Sequence, residues 1–319
     1  MITGITGQDG SYLAEMLLEE GYEVHGIVRR AALEDPERRF WRISTIVNDL
    51  ILHSGSLESH SSLYECVRKS KPDELYHLGA HSFVSYSFEE EYSGMETNIG
   101  STHSLLSAVR QIVPECRFYF ACSSEVFGNA STAPQEEETP FNPRSAYGVS
   151  KVAGYHLVKA YRENHGMNSV SGILYNHESP RRGFEFVTRK ITSQAAAIKR
   201  GHATQLLLGN LKARRDWGHA KDYAKAILAM NRSKNPCDYV IATGKTHSVE
   251  DFCRLAFSHL GLDYREFVKS DEKLYRASEE VELRGNAQKA RAELDWTPTV
   301  TFEELVKEMT EADLELLKT

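Results

Sequence analysis

Two pairs of side chains in the middle of the chain have types and spacings that suit acid–base chemistry. Tyr147 and Lys151 lie four residues apart within a helical pattern, so both project from one helix face. A tyrosine with its ordinary pKa of about 10 is a poor base at neutral pH, but a nearby ammonium lowers that pKa. The pair predicts a catalytic base for hydroxyl oxidation; the alternative is an ordinary pair on a helix surface.

The second pair, Ser123 and Glu125, follows an apolar segment that is typical of a strand. Open parallel sheets place their active sites at the carboxyl ends of strands, so both side chains are candidates for catalysis. Ser123 offers a hydroxyl that can orient a substrate. Glu125 offers a base able to remove a carbon-bound proton next to a carbonyl, which a simple dehydrogenase does not need. The alternative for Glu125 is a turn residue that caps its own loop.

Upstream of both pairs, the chain opens with glycines at positions 4, 7 and 10, between a short apolar segment and a helical pattern. Glycines at this spacing let the backbone turn tightly and approach a pyrophosphate, which then lies at the helix N-terminus. We therefore expect a dinucleotide to bind here; the alternative is a glycine turn without a ligand. The predicted binding residues are Gly4, Thr6, Gly7, Gln8, Asp9 and Gly10.

The end of the second predicted strand indicates which dinucleotide is bound. An NAD site usually has an acid about 20 residues beyond the glycines, whereas this chain has Arg29 and Arg30. A guanidinium fits a 2′-phosphate that a carboxylate would repel. The two arginines predict NADP as the cofactor; the alternative is a pair of solvated side chains at a strand end.

Apolar and amphipathic segments alternate from residue 1 to about residue 175, which is the pattern of repeated β-α units. This alternation predicts an α/β fold with a doubly wound parallel sheet, Rossmann-like in arrangement. The predicted strands are Met1–Thr3, Glu23–Val28, Asp49–His53, Glu74–Leu78, Arg117–Cys122 and Ser169–Leu174. The predicted helices are Ser11–Glu20, Ser61–Lys69, Gly94–Arg110 and Ser145–Asn164, and the polar segment Ala31–Arg39 is predicted to be a loop.

Beyond residue 175 the alternation loosens, and this half is predicted to be a smaller mixed C-terminal domain that binds a substrate. We expect a dinucleotide-binding domain over 1–175 and a substrate domain over 176–319, with segments at about 205–245 returning to the first domain. The predicted elements of the second half are helices at Arg189–Arg200, Asp222–Asn231, Ser248–Leu260 and Phe302–Leu316 and a strand at Tyr239–Ala242.

Composition argues against several classes of protein. The 319 residues are 41% hydrophobic and carry a net charge of -7, which argues against nonspecific nucleic-acid binding. There is no run of about 18 apolar residues, so no membrane span is expected. The five cysteines are odd in number and lack CxxC spacing, which favours a reducing, cytoplasmic compartment and no metal site.

Longer segments carry a family resemblance that the short motifs alone could not identify. They are Ile5–Glu15 (ITGQDGSYLAE), Asn176–Gly183 (NHESPRRG), Phe186–Thr192 (FVTRKIT) and Leu208–Tyr223 (LGNLKARRDWGHAKDY). Through them the chain resembles the extended short-chain dehydrogenase/reductase superfamily and, within it, the GDP-mannose 4,6-dehydratases. The resemblance extends over nearly the whole chain.

The resemblance implies an NADP-dependent lyase that acts on a GDP-sugar, with Ser123, Glu125, Tyr147 and Lys151 as its catalytic residues. Tyr147 takes the C4 hydroxyl proton as hydride passes to NADP, Glu125 removes the C5 proton, water leaves from C6, and the hydride returns to C6. Further cofactor contacts are implied at Ser56, Leu57, Leu78, Gly79, Ala80, Ser82, Tyr147, Lys151, His177 and Arg182. Substrate contacts are implied at Ser82, Ser124, Asn176, Val187, Lys190, Leu208, Gly209, Arg215, Arg276 and Glu279.

Four departures from the family pattern bear on these expectations. The family's catalytic threonine is Ser123 here, its aspartate near adenine is Ser56, and a glutamine is His81. The loop after Arg30, which helps relatives to form a tetramer, also differs, so a homodimer or a homotetramer is expected. Because Ser123 and His81 are expected near the sugar, GDP-manno-heptose is an alternative to GDP-mannose.

Two other functions stay open on the sequence. A nucleotide-sugar epimerase or dehydrogenase would share most of the site, but it would have no use for Glu125 as a base for C5. A catalytically inactive protein that senses a dinucleotide would need only the glycine segment, so the intact catalytic set argues against it.

Overall fold

The computed structural model describes residues 1–82, 88–275 and 282–317. Its central feature is a seven-stranded sheet in which each pair of neighbouring strands is parallel. The strands along the chain are β1 (Ile2–Thr3), β2 (Val24–Val28), β3 (Leu50–Ser54), β4 (Glu74–His77), β5 (Arg117–Ser123), β6 (Ser169–Leu174), β7 (Asn176–Glu178), β8 (Leu206–Leu208), β9 (Arg214–His219), β10 (Tyr239–Ile241), β11 (Thr246–Ser248) and β12 (Val268–Ser270).

The order of strands in this sheet is β10-β6-β5-β4-β1-β2-β3. The chain therefore runs outward from β1 in one direction and from β4 in the other, so the order reverses between these two neighbours. In open α/β sheets the crevice outside the carboxyl ends at such a reversal is where ligands bind. Thr3 pairs with His77 at that edge, so the segments that follow both strands begin side by side.

Helices cover both faces of the sheet. The described helices are α1 (Gln8–Glu19), α2 (Arg30–Glu34), α3 (Pro36–Arg39), α4 (His60–Ser70), α5 (Phe88–Ile112), α6 (Ala146–His165), α7 (Val187–Lys199), α8 (Ala220–Asn231), α9 (Val249–His259), α10 (Tyr264–Phe267), α11 (Gln288–Leu294) and α12 (Phe302–Leu316). One buried core joins the sheet to α1, α8 and α11, and another joins it to α4, α5 and α6. In the described part of the chain, no helix has both the length and the apolar character that crossing a membrane requires.

The remaining elements form a smaller, mixed part. β7, β9 and β11 make a three-stranded sheet, and β8 pairs with β12. Helices α7, α9 and α12 enclose a third core that includes Ile191, Phe252 and Leu305. Because β7 follows β6 after a single residue, the sheet that carries the site and this smaller part meet at Tyr175.

The predicted fold class is confirmed: a doubly wound parallel sheet with a smaller mixed part. The six predicted strands of the first half lie within one residue of the observed bounds at each end. The predicted strand Tyr239–Ala242 is β10, which pairs with β6 in the large sheet. The domain boundary at residue 175 stays a prediction.

The prediction of a loop at Ala31–Arg39 is wrong, because α2 and α3 occupy this segment. Pro36 starts α3 with a backbone angle that already suits a helix. Phe40 and Ile43 are buried and fix the chain beyond α3. Five strands were not predicted: β7, β8, β9, β11 and β12. Most of them have only three residues, too few to show a period.

Candidate active site

A cavity of about 900 Å³ lies at the carboxyl edge of the parallel sheet and extends along β7, α7 and β9. It brings together residues that the sequence analysis predicted from widely separated segments, although their roles stay predictions. Those that line it are Gly4, Thr6, Gly7, Gln8, Asp9, Gly10, Leu78, Gly79, Ala80, Ser82, Ser123, Ser124, Glu125, Tyr147, Lys151, Asn176, His177, Arg182, Val187, Lys190, Leu208, Gly209 and Arg215.

The glycine segment forms a tight backbone cradle between β1 and α1. Gly4 has a φ of +74°, and a Cβ atom there would lie 2.9 Å from the Gly79 nitrogen. A Cβ atom on Gly10 would lie 2.3 Å from the Gly4 carbonyl oxygen. The backbone of the first turn of α1 therefore packs directly against the backbone of the preceding turn. Only glycine fits at these two positions. The cradle leaves room for a dinucleotide diphosphate at the N-terminus of α1, which favours anions.

A buried histidine behind this cradle fixes the two strand ends. His77 Nδ1 lies 2.8 Å from Thr3 Oγ1, and Thr3 Oγ1 accepts a hydrogen bond from the Gly79 nitrogen at 3.0 Å. Burial lowers the pKa of His77 to about 3, so its ring is neutral at physiological pH. The network holds the segment after β4 against the segment after β1. This histidine was not among the residues predicted from the sequence.

Asp9 and His177, both predicted to contact the cofactor, contact each other. His177 Nε2 lies 2.9 Å from Asp9 Oδ2, and its Nδ1 lies 2.7 Å from the Tyr175 carbonyl oxygen. Both ring nitrogens therefore face acceptors, which suits a protonated ring. Burial opposes ionisation of both groups, but their mutual attraction outweighs it, so the pKa of Asp9 is lowered and that of His177 is raised. The pair joins α1 to β7 across the floor of the cavity.

Tyr147 and Lys151 lie one turn apart on α6. Lys151 Nζ donates a hydrogen bond to the Ala121 carbonyl oxygen at 2.7 Å and lies 5.6 Å from the centre of the Tyr147 ring. Burial lowers the pKa of Lys151 to about 8. Burial raises the pKa of Tyr147, and a hydrogen bond with Ser123 acts in the opposite direction. The tyrosine therefore depends on nearby positive charge to give up its proton.

The close contact of α6 with β5 sets the position of this pair. Ser145 caps the helix by accepting a hydrogen bond from the Gly148 nitrogen at 3.0 Å. A Cβ atom on Gly154 would lie 2.3 Å from the Phe120 ring, so the glycine lets the helix pack directly on the strand. Lys151 lies on the preceding turn and is held over the carboxyl end of β5.

Ser123 and Glu125 mark the turn at which β5 ends. Ser123 Oγ accepts a hydrogen bond from the Glu125 nitrogen at 3.3 Å and caps the short 3₁₀ turn Ser124–Val126. The Glu125 side chain is half-buried and lines the cavity. Among the described residues, none donates a hydrogen bond to its carboxylate, so it caps no local turn. The carboxylate is therefore available to a bound molecule.

The four residues predicted to bind the adenosine end do not line the cavity: Arg29, Arg30, Ser56 and Leu57. Arg29 Nη2 lies 3.2 Å from His81 Nε2, and Arg30 pairs with Glu34 at 3.2 Å on α2. The expectation that His81 lies near the sugar is wrong, because its side chain lies against Arg29 outside the cavity. Asn98 holds the His81 backbone by accepting a hydrogen bond from its nitrogen at 2.9 Å and donating one to its carbonyl oxygen at 3.2 Å.

The residues predicted to bind the substrate lie along the far side of the cavity. Asn176 starts β7 and pairs with Trp217 of β9. Lys190 Nζ donates a hydrogen bond to the Leu207 carbonyl oxygen at 2.8 Å, and Arg215 lies on β9. Arg276 and Glu279 lie outside the described residues. Cations on α7 and β9 thus line one wall, as a diphosphate would require.

Two further residues of the site were not predicted from the sequence. Glu178 is buried, accepts a hydrogen bond from Thr188 Oγ1 at 2.5 Å and pairs with Arg182 Nε at 3.1 Å. Arg42 lines the cavity and donates a hydrogen bond to the carbonyl oxygen of Arg181, which is 139 residues away. No sequence pattern indicates that Glu178 is buried against its near neighbours, and no local spacing indicates a contact as distant as that of Arg42.

Comparison with known proteins agrees with this geometry. The family model described as "GDP-mannose 4,6 dehydratase" matches residues 1–309. The GDP-mannose 4,6 dehydratase 2 of Arabidopsis thaliana is 46% identical to the chain, over 100% of the chain and 87% of the relative. Among solved structures, UDP-glucose 4-epimerase of Thermotoga maritima with UDP-glucose has a TM-score of 0.86 at 21% identity, covering 99% of this chain and 98% of that chain. dTDP-glucose 4,6-dehydratase of Bacillus anthracis in complex with NAD has a TM-score of 0.83 at 20% identity, with 99% and 96% covered.

Proposed function

The chain belongs to the GDP-mannose 4,6-dehydratase family, and we propose that it converts GDP-mannose to GDP-4-keto-6-deoxymannose with bound NADP. The observation that carries the proposal is the carboxylate of Glu125, which lines the same cavity as Tyr147 and Lys151. Oxidation at C4 needs only the tyrosine and the lysine, whereas elimination of water needs a base for C5. The three residues together support a dehydratase over a nucleotide-sugar dehydrogenase or epimerase.

The residues at the head of α1 suit a dinucleotide. Cβ atoms on Gly4 or Gly10 would collide with the backbone of Gly79 or of Gly4, so the glycines keep the cradle closely packed, and Gly7 and Gln8 present the helix N-terminus to a diphosphate. Bound NADP would supply the acceptor for the C4 hydride and its donor to C6, so the reaction would have no net redox change. Tyr147 and Lys151 lie at the far end of the same groove, where the nicotinamide ribose would be held.

Tyr147 accepts the proton of the C4 hydroxyl. Its burial makes the phenolate unfavourable, and the Lys151 ammonium, whose own pKa is about 8, offsets part of that cost at neutral pH. Ser123 lies beside the tyrosine and orients the same hydroxyl through a hydrogen bond. The three side chains thus bind the C4 oxygen and hold the proton that leaves it.

Glu125 then removes the C5 proton, which the adjacent ketone has made acidic. The C6 hydroxyl leaves as water after it receives a proton from Glu125 or Ser123, and C5 is reprotonated after hydride return. A carboxylate without a local hydrogen-bond donor keeps both oxygens for these transfers. Each proton taken from the sugar is therefore returned to the sugar or leaves with water.

We propose NADP rather than NAD on the basis of Arg29 and Arg30. Both lie at the carboxyl end of β2, where the adenosine ribose of a dinucleotide on this fold would lie. Their guanidinium groups attract a 2′-phosphate, and within the described residues neither is paired with an acid from the cavity wall. Lys190 and Arg215 are the corresponding cations for the diphosphate of GDP.

GDP-manno-heptose is the second candidate substrate, and Ser123 is the observation that favours it. Serine keeps the hydroxyl of the family's threonine and lacks its methyl group, which leaves more room beside Glu125 and Tyr147 for a sugar with an additional carbon. The position of His81 gives this candidate no support, since its side chain lies against Arg29.

We also propose that the protein works as a homodimer or homotetramer in the cytoplasm. Tyr92 on α5 is 75% exposed and Val149 on α6 is 41% exposed, and both helices pack side by side on the same face. Exposed apolar side chains on such a face suit contact with a second copy. All five cysteines are free, which is typical of a reducing compartment. Light scattering on the purified protein tests the oligomeric state.

Mass spectrometry of the product tests the proposed function. The enzyme is incubated with NADP and either GDP-mannose or GDP-manno-heptose, and the nucleotide sugar is then analysed. Loss of one water from GDP-mannose is the expected result, and faster loss from the heptose would favour the second substrate. A product of unchanged mass would point to an epimerase, and a mass lower by two hydrogens to a dehydrogenase.

A further inference from the structure

Arg42 is a cation at the cavity wall with no role in the sequence analysis. It follows α3, and the buried Phe40 and Ile43 on either side fix its backbone. Its Nε donates a hydrogen bond to the Arg181 carbonyl oxygen at 2.6 Å, and its Nη1 donates one to the Thr6 carbonyl oxygen at 3.3 Å. These bonds hold the guanidinium beside the glycine segment, with three of its five N–H groups still available.

The charges around Arg42 are unbalanced. Three other arginines lie nearby, and each has its own acidic partner: Arg181 pairs with Glu15, Arg182 with Glu178 and Arg189 with Asp313. Within the ranges that the structure describes, none of the ion pairs involves Arg42. Burial lowers the pKa of Arg42 to about 10, Glu185 opposes this, and the three neighbouring arginines add to it. A cation in such surroundings gains from an anionic ligand.

The position of Arg42 indicates which anion it binds, and we propose that this is the diphosphate of the dinucleotide. Thr6, whose carbonyl oxygen Arg42 contacts, directly precedes Gly7, the residue that caps α1. A diphosphate at the head of α1 therefore lies beside the guanidinium, which adds a charge-assisted contact to the backbone donors. The 2′-phosphate belongs to the other side, at the carboxyl end of β2 with Arg29 and Arg30. This inference rests on the proposed dinucleotide cofactor.

Titration with NADP and with NAD, in the absence of any nucleotide sugar, tests the proposal. Both cofactors carry the diphosphate, and only NADP carries the 2′-phosphate. Arg42→Gln should weaken both by the same factor, about tenfold to a hundredfold, because one or two charge-assisted hydrogen bonds are lost. Arg42→Lys keeps the charge and loses the planar fork, so it should weaken both by a smaller equal factor. Added salt should weaken the wild type more steeply than Arg42→Gln.

The matched control is Arg39→Gln, which removes the same charge from an exposed position on α3 and should leave both affinities unchanged. Thermal unfolding shows whether each variant is folded. If Arg42→Gln is not folded, the titrations with Arg42→Lys test the proposal instead. A loss for NADP alone would assign Arg42 to the 2′-phosphate and overturn the proposal. Unchanged affinities for both cofactors would also overturn it. Arg42 would then only hold the backbone in place, through its hydrogen bonds to the carbonyl oxygens of Thr6 and Arg181. Product analysis on the wild type tests the dehydratase function separately, so the two failures are distinguishable.

Discussion

Two regions of the cavity are built in different ways. Each is named after the ligand that we propose for it. The dinucleotide half, formed by the Gly4–Gly10 segment and Gly79, is shaped by backbone at the carboxyl ends of β1 and β4. The nucleotide-sugar half, formed by β7, α7 and β9, is held by buried charged side chains. Arg189 on α7 is fully buried and pairs with Asp313 on α12 at 2.7 Å. Asp313 also accepts a hydrogen bond from Thr192 Oγ1 at 2.5 Å.

Other buried acids in the nucleotide-sugar half act in the same way. Asp216 on β9 accepts hydrogen bonds from the nitrogens of Thr243 and Gly244, each at 2.9 Å. Glu178 on β7 holds Arg182 at the cavity wall. Arg189 also donates hydrogen bonds to the carbonyl oxygens of Pro180 and Arg182, so it ties the loop before α7 to the helix. The two halves should therefore be sensitive to different changes: an added Cβ atom should disrupt the dinucleotide half, and a lost carboxylate the nucleotide-sugar half.

The largest effect is expected for Asp313→Ala, which tests the nucleotide-sugar half. The change leaves the Arg189 guanidinium buried without its counter-charge, which should lower the free energy of unfolding by about 3–5 kcal/mol. Urea unfolding followed by circular dichroism measures this. The control is Glu163→Ala, which breaks an exposed pair with Lys159 on α6 and should change little. If Asp313→Ala lowers the free energy of unfolding as little as the control does, buried charges do not stabilise this half.

Gly10→Ala tests the dinucleotide half. A Cβ atom 2.3 Å from the Gly4 carbonyl oxygen forces the cradle open, which should cost about 1–3 kcal/mol of stability and abolish measurable NADP binding. The control is Gly100→Ala on α5, where a Cβ atom meets nothing within 4 Å. It should be neutral or slightly stabilising, since alanine favours a helix. Normal NADP affinity in Gly10→Ala would show that the close approach of backbone does not shape the site.

Arg29→Glu tests a side chain within the dinucleotide half. Here a side chain, and not the backbone, is expected to select NADP over NAD. The acid should repel the 2′-phosphate and weaken NADP binding by about 1.5–3 kcal/mol for each charge-assisted hydrogen bond lost, while NAD binding is kept. Titration of both cofactors against wild type and variant measures this. Equal wild-type affinity for NAD and NADP would remove the argument for NADP.

The smallest effect is expected from pH, and it concerns the chemistry shared by both halves. Lys151, with a pKa of about 8, is positively charged below that pH and neutral above it. The reactive form pairs a charged Lys151 with the Tyr147 phenolate, so the C4 oxidation rate should rise with pH, by at most about tenfold per unit, up to about pH 8. Above that pH the rate should level off, because the charged fraction of Lys151 falls as the phenolate fraction of Tyr147, whose pKa is raised, grows. Initial rates at saturating GDP-mannose measure this, with the affinity for GDP as a control that should not follow the same curve. A rate that is already flat between about pH 6 and 8 would contradict the role of Lys151.

The same difference explains what the sequence could predict. The parallel strands and the glycine segment were predicted almost to the residue, because period and glycine spacing are local signals. The short strands around the nucleotide-sugar half were missed, and Lys190 and Arg215 were found only through family resemblance. Contacts such as Arg189 with Asp313, 124 residues apart, leave no local pattern. His81 shows the limit of resemblance, since a substitution identified its position but not the direction of its side chain.

The most direct test of the central claim is the variant Glu125→Gln mixed with NADP and GDP-mannose. The amide has nearly the shape of the carboxylate but cannot accept the C5 proton. C4 oxidation needs only Tyr147, Lys151 and the cofactor, so it should survive while elimination fails. The absorbance near 340 nm should therefore rise, to at most about one equivalent of enzyme-bound reduced cofactor.

Exchange of the C5 proton with deuterated water, followed by NMR, completes this measurement. We expect exchange in the wild type and none in Glu125→Gln, together with the rise at 340 nm and no release of the 4-keto-6-deoxy sugar. If the variant releases that sugar at the wild-type rate, Glu125 is only structural, and the dehydratase mechanism argued from its position at the end of β5 is contradicted.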